Sequence, residues 1–114
     1  MSECLFCRIG SGQIPAKVVL QDDEILAFED VNPQAPVHVL VIPKRHIERL
    51  NEATAGDKAL LGHLFEVATQ VAEKKGIVES GYRVVANTGR NGGQTVFHLH
   101  LHVLGGRQMT WPPG

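Results

Sequence analysis

The order of apolar and polar residues divides the chain into a strand-rich first third, a helical middle and a strand-rich end. An apolar stretch at 4–9, closed by Gly10, Ser11 and Gly12, has room for one or two helical turns. Strands are predicted at 17–21 and 25–29, and the acidic pair Asp22 and Asp23 between them reads as a hairpin. Residues 32–36 must form a loop, because Pro33 and Pro36 lack amide donors and restrict the residues before them. Residues 37–42 are almost wholly apolar. The spacing predicts a helix over 57–75, where Leu60, Leu61, Leu64, Val67, Ala68, Val71 and Ala72 recur at three and four residues. Lys74 and Lys75 complement its negative end and Gly76 can cap it. His63, beside the apolar stripe, reads as a packed, hydrogen-bonded structural residue. Two further strands, 82–87 and 97–104, flank a glycine-rich turn at 88–95.

Five strands with one long and one short helix make an α+β fold in two layers, with an antiparallel sheet. At 114 residues the chain is a single domain, 1–114. One long helix cannot cover both faces of five strands. Because 37–42 is apolar at both alternations, a second subunit is expected to bury what remains, which makes the protein a homodimer.

Composition narrows the function. Hydrophobic residues are 43% and charged residues 20%, the balance of a globular chain. A formal charge of −1, with 11 basic against 12 acidic residues, gives no footprint for a nucleic-acid partner. No apolar run is long enough to span a membrane and no signal peptide is legible, so the expectation is a cytoplasmic protein without membrane contact. Cys4 and Cys7 are too close for a framework disulfide, but their spacing suits a metal or redox pair.

Three of the six histidines alternate as His98, His100 and His102. On a strand they share one face at intervals of roughly 6.6 Å, with Leu99, Leu101 and Val103 turned into the core. Such a row can ligate zinc, or it can act as acid, base and nucleophile near neutral pH. The loop before it favours the second. Gly92, Gly93, Gln94 and Thr95 offer unencumbered backbone amides and a hydroxyl, which suit an anionic phosphate rather than zinc.

These residues resemble the histidine-triad superfamily, and their flanks resemble its Hint branch, the nucleoside phosphoramidases. The flanking matches include Ile14-Pro15-Ala16-Lys17, Phe28-Glu29-Asp30, Pro33-Gln34-Ala35-Pro36, Gly105-Gly106-Arg107 and the closing Trp111-Pro112-Pro113-Gly114. The resemblance implies a homodimer whose sheets join across the interface. It also implies hydrolysis of the P–N bond of a purine nucleoside 5′-monophosphoramidate through a nucleotidyl-histidine. His100 corresponds to the nucleophile, His98 and His102 flank and orient it, and Thr95 is the candidate relay to the leaving amine. Asp30 matches the carboxylate that holds the ribose hydroxyls, while Phe28 and Val31 line the base pocket. Asn87 and the backbone of Gly93, Gln94 and Thr95 position the phosphate, and His38 matches a histidine at the edge of the site.

The implied chemistry needs no cofactor. In some triad proteins, however, Cys4, Cys7, His46 and His98 would match a structural zinc set; otherwise the cysteines are small buried residues and His46 lies on the surface. Thr95 stands where serine is frequent in the branch. Two rival functions remain at this stage, a dinucleoside polyphosphate hydrolase of the same superfamily and a nucleotide-binding scaffold with incidental hydrolysis. Trp111, the single tryptophan, is expected to pack against protein.

Overall fold

The computed structural model describes residues 3–114. Helix α1 (Leu5–Gly10) leads into strands β1 (Val18–Gln21), β2 (Ile25–Glu29) and β3 (Val37–Pro43), and two short 3-10 turns precede helix α2 (Lys58–Lys74). Strands β4 (Tyr82–Val85) and β5 (Leu101–Gly105) complete a five-stranded sheet in the order β1-β2-β3-β5-β4, antiparallel throughout. The two-layer α+β architecture expected from the pattern is present.

Local chemistry sets these boundaries. The hairpin between β1 and β2 closes on Asp22, whose Oδ1 accepts the amides of Glu24 and Ile25 at 2.9 and 2.8 Å. Helix α2 starts at Lys58 because Asp57 is spent on its entry. The Asp57 carboxylate accepts the Thr54 amide at 2.8 Å in a capping box and pairs with Arg45. At the other end Gly76, with φ of 71°, takes the left-handed turn that an L side chain resists. The amide of Ile77 then bonds the carbonyl of Ala72.

The apolar stripe of α2 covers one sheet face, where Ile25, Ala27, Val39, Val41, Leu101 and Val103 meet Leu64, Val67, Ala68 and Val71. On the other face Leu26, Phe28, Leu40 and Ile42 pack around Phe6 of α1. This corrects the argument for a partner. Both alternations of β3 are already buried within one chain, because α1 closes over the second face.

The edge strands differ. The pairing of β1 with β2 shifts register between Val18 and Leu20, so that edge is kinked, whereas β4 pairs with β5 in uninterrupted register. Among the described residues no helix is long and apolar enough to cross a membrane.

His63 is hydrogen-bonded as expected, but at the rim. Its Nε2 donates to Asp22 at 2.6 Å and its Nδ1 to Glu66 at 3.1 Å, tying α2 to the first hairpin. The Asp22 hydrogen bond raises the His63 pKa. Desolvation acts upward on Asp22, but the amides of Glu24 and Ile25 and the His63 ring outweigh it and lower its pKa. The raised histidine stabilises the fold below its unfolded value and loses that effect as pH rises through the folded value. The lowered aspartate stabilises above its unfolded value and loses that effect on acidification. The clasp is therefore strongest between about pH 4 and pH 6.5. His63→Gln should lower the melting temperature by a degree or two near pH 5.5 and by less near pH 8.5. Thermal melts of both proteins across that range check it.

Candidate active site

The three histidines do not all lie on a strand. The sequence predicts a strand over 97–104, but β5 begins at Leu101, and residues 96–98 form a bend. Pro43 is the cause. Opposite β5, the register pairs Val41 with Leu101, and continuing it would place Leu99 against Pro43, which has no amide to donate. The Leu99 amide instead bonds the carbonyl of Ile47 at 2.6 Å. The alternation of burial survives, with Leu99, Leu101 and Val103 in the core.

Leaving the ladder gives each imidazole a different role. His98 is fully buried, and its Nε2 donates to the carbonyl of Pro43 at 2.7 Å. The His98 carbonyl in turn accepts Nδ1–H of His100 at 2.7 Å. A neutral imidazole carries one proton, so Nε2 of His100 keeps its lone pair. The rings of His100 and His102 lie 4.9 Å apart, and those of His102 and His38 5.1 Å apart.

A second chain of tautomers runs through His38. Its Nδ1 accepts the Gln34 amide at 3.0 Å, so its proton sits on Nε2 and is given to Nδ1 of His102 at 2.9 Å, with Asp30 at 3.4 Å. His102 therefore presents Nε2–H as a donor. Asp30, His38 and His102 stand close enough together to suggest a metal site. The tautomers argue against one, because Nε2 of His38 offers a proton and not a lone pair.

Burial keeps these rings neutral. It lowers the pKa of His98 to about 4, against the pull of the Pro43 carbonyl. His102 also falls to about 4, through burial first and its neighbours His100 and His38 next. His100 is lowered by burial, which outweighs its bond to the His98 carbonyl. His38 is lowered by burial against the attraction of Asp30.

The remaining lone pair of His98, on Nδ1, meets a separate group. It lies 3.3 Å from Cys4 Sγ, 3.5 Å from Cys7 Sγ and 3.2 Å from His46 Nδ1, while Cys7 Sγ is 3.4 Å from His46 Nδ1. A zinc tetrahedron with ordinary bond lengths has N···N and N···S edges of about 3.3 and about 3.6 Å. Two sulfurs and two imidazole nitrogens at such separations fit that ion.

His100 and His102 line a cavity of about 1220 Å³, together with Phe28, Asp30, Val31, His38 and Thr95. Seven of the expected residues thus converge. Asn87, Gly93 and Gln94 do not line it; Asn87 lies beyond the end of β4, which stops at Val85 and not at 87. Gln94 is buried and turned inward. Its Oε1 accepts the Gly89 amide at 2.9 Å, and its Nε2 donates to the carbonyls of Glu48 and Val96 at 2.8 and 3.1 Å. It braces the turn from within. Gly92 completes that turn, since a Cβ there would sit 2.4 Å from the Thr88 carbonyl oxygen.

Sequence reasoning missed the contribution of α1 to the cavity. Leu5, Phe6 and Ile9 form part of its wall, and the legible signal was an apolar run too short to bury itself. Trp111 is 83% exposed on its own chain, and the tail is tied down just before it, where Arg83 donates to the Thr110 carbonyl.

The HIT domain model matches residues 11–109, most of the chain. The chain belongs to the HIT domain family. An uncharacterised HIT-like protein of Synechococcus elongatus is 57% identical over 115 residues, covering all of both chains. The crystal structure of a HIT family hydrolase from Legionella pneumophila superposes with a TM-score of 0.96 at 54% identity, over 98% of this chain and 100% of that one. A histidine triad nucleotide-binding protein from Candida albicans shares 28% identity with a TM-score of 0.82, over 96% of this chain and 83% of that one.

Gln94→Leu removes a brace that satisfies one buried amide and two carbonyls. It should lower stability by about 2 kcal/mol, measured by urea unfolding.

Proposed function

We propose that this protein is a cytoplasmic hydrolase of the Hint type, cleaving the P–N bond of purine nucleoside 5′-monophosphoramidates. The observation that carries the reading is the bond from His100 Nδ1–H to the His98 carbonyl, which leaves Nε2 as a lone-pair donor at the cavity wall. A neutral imidazole so oriented is a ready nucleophile.

In the proposed reaction Nε2 of His100 attacks the α-phosphorus and forms a P–N bond as the bond to the amine breaks. The amine departs with the bonding electrons and takes up a proton, for which Thr95, at the cavity and exposed, is the candidate relay. Water then attacks phosphorus, the bond to His100 breaks, and the nucleoside monophosphate is released. The Nε2–H of His102 is a donor for the charge that gathers on the phosphoryl oxygens, held in its tautomer by His38. Asp30 would receive the ribose hydroxyls, and Phe28 with Val31 would border the base. Support for a nucleotide comes also from the likeness to the histidine triad nucleotide-binding protein of Candida albicans.

Cys4, Cys7, His46 and His98 would hold a zinc ion, which supplies a closed structural cross-link and no reactive position. The reading includes a homodimer joined through the open edge of β4. The exposed Trp111 suits a tail that meets the partner subunit near its cavity, where it would contact the leaving group.

The deciding experiment is a screen of adenosine and guanosine phosphoramidates with varied amines, run beside a diadenosine polyphosphate. Faster turnover of the polyphosphate overturns the assignment, and nucleotide affinity without any turnover makes the protein a binding module. His100→Ala should reduce turnover by about a thousandfold or more while nucleoside monophosphate still binds, because Asp30 and Thr95 at the cavity wall are untouched. Calorimetry beside steady-state kinetics checks both halves. Thr95→Ala should slow strongly basic amine leaving groups more than weakly basic ones, and a graded series of amines measures this. Uniform loss across the series would limit Thr95 to placing the phosphate.

A further inference from the structure

Helix α1 has six residues, too few to hold together alone in water. It is fastened at its first turn. Cys4 caps the helix and accepts the Cys7 amide, and both sulfurs lie against the imidazoles of His98 and His46. Between the two cysteines in sequence, Phe6 is buried in the second face of the sheet.

Phe6 touches the reacting side of the molecule. Its ring stands edge-on to His100, with centroids 5.0 Å apart and planes at 86°, and it meets Phe28 at 5.6 Å in a similar arrangement. It also lines the cavity. A hydrogen bond at Nδ1 restrains the His100 ring, but whenever that bond opens the ring can swing about χ2. An aromatic edge packed on the ring closes off that rotation.

From this geometry we propose that Phe6 is a positioning residue for His100. The cysteine and histidine cluster, by clamping α1 when zinc is bound, sets how firmly Phe6 bears on the imidazole. This inference rests on the reading of His100 as the nucleophile. One ion then serves both ends of the device. Through His98 it holds the carbonyl that fixes the His100 proton, and through Cys4 and Cys7 it holds the helix that carries Phe6. Without the ion, α1 is held by its apolar contacts and by weaker hydrogen bonds, those of the sulfurs to the imidazoles among them, and a six-residue helix held in that way loosens.

The test compares the full chain loaded with zinc chloride and the same chain stripped by a chelator, each as wild type and as Phe6→Leu, which keeps the position apolar. The measurements are adenosine monophosphate affinity, kcat and KM on an adenosine phosphoramidate, and the ring-nitrogen NMR signals of His100, which report its tautomer. Stripping should lower kcat roughly tenfold and admix a second His100 tautomer in a protein that still binds the nucleotide. Loaded Phe6→Leu should show the same two changes, and stripping it should add little, because the link is already cut. The inference is overturned by an unchanged His100 signature in folded, stripped protein, by additive effects of the two changes, or by failure to take up zinc. Should stripping unfold the chain, loaded Phe6→Leu decides alone, and an unaltered tautomer overturns the proposal. If no form binds the nucleotide or cleaves the phosphoramidate, the functional reading fails, while the NMR signals still judge the role of Phe6.

Discussion

His98 has one ring proton, and the carbonyl of Pro43 takes it. That bond fixes which nitrogen faces the two cysteines and His46, and it anchors the backbone whose carbonyl orients His100. It also lies where the ladder between β3 and β5 ends, because proline offers no amide there. A single residue pair thus separates a sulfur-rich pole, whose spacing fits a metal ion, from a cavity lined by uncharged imidazoles. Replacing Pro43 by a residue with an amide would invite the ladder to continue, and His98 would then be drawn toward the strand register.

The close packing of His38, His100 and His102 depends on their being neutral. Rings 4.9 and 5.1 Å apart would repel one another if charged, and burial removes that problem by disfavouring the protonated forms. The hydrogen bonds then sort the neutral rings into lone-pair donors and proton donors. His100 Nε2 and His98 Nδ1 belong to the first kind, and Nε2–H of His102 to the second. Chemistry at phosphorus needs one of each side by side, which the row supplies without an ionised side chain.

Much of this was legible in the sequence, for stated reasons. Strand β2 was predicted with its observed ends, because Asp22 and the proline-containing loop bracket it on both sides. Helix α2 was predicted to within one residue at each end, and the error at its start came from Asp57, which ends a 3-10 turn and spends its carboxylate on the Thr54 amide. The start of β5 was misplaced because alternation alone cannot register a proline on the neighbouring strand. The backbone of Gln94 was read as a phosphate contact, but the residue does not line the cavity, and the bracing of Gly89 by its side chain is invisible in sequence. Phe6 was hidden for a related reason: its partners His100 and Phe28 lie far along the chain and meet it only when the sheet forms. Trp111 is exposed on its own chain, because apolar character shows that a residue needs cover but not which molecule provides it.

The register shift in β1 has a consequence for how such sheets accumulate. A kinked outer strand offers a poor template for another backbone, while β4 on the opposite side remains straight. A molecule with two good templates could be joined at both ends and grow into a filament. With only one, each molecule can be joined once, and a symmetric pairing consumes the template on both partners. A pairing through β4 would therefore stop at two molecules, because the irregular β1 edges left on the outside offer no comparable template.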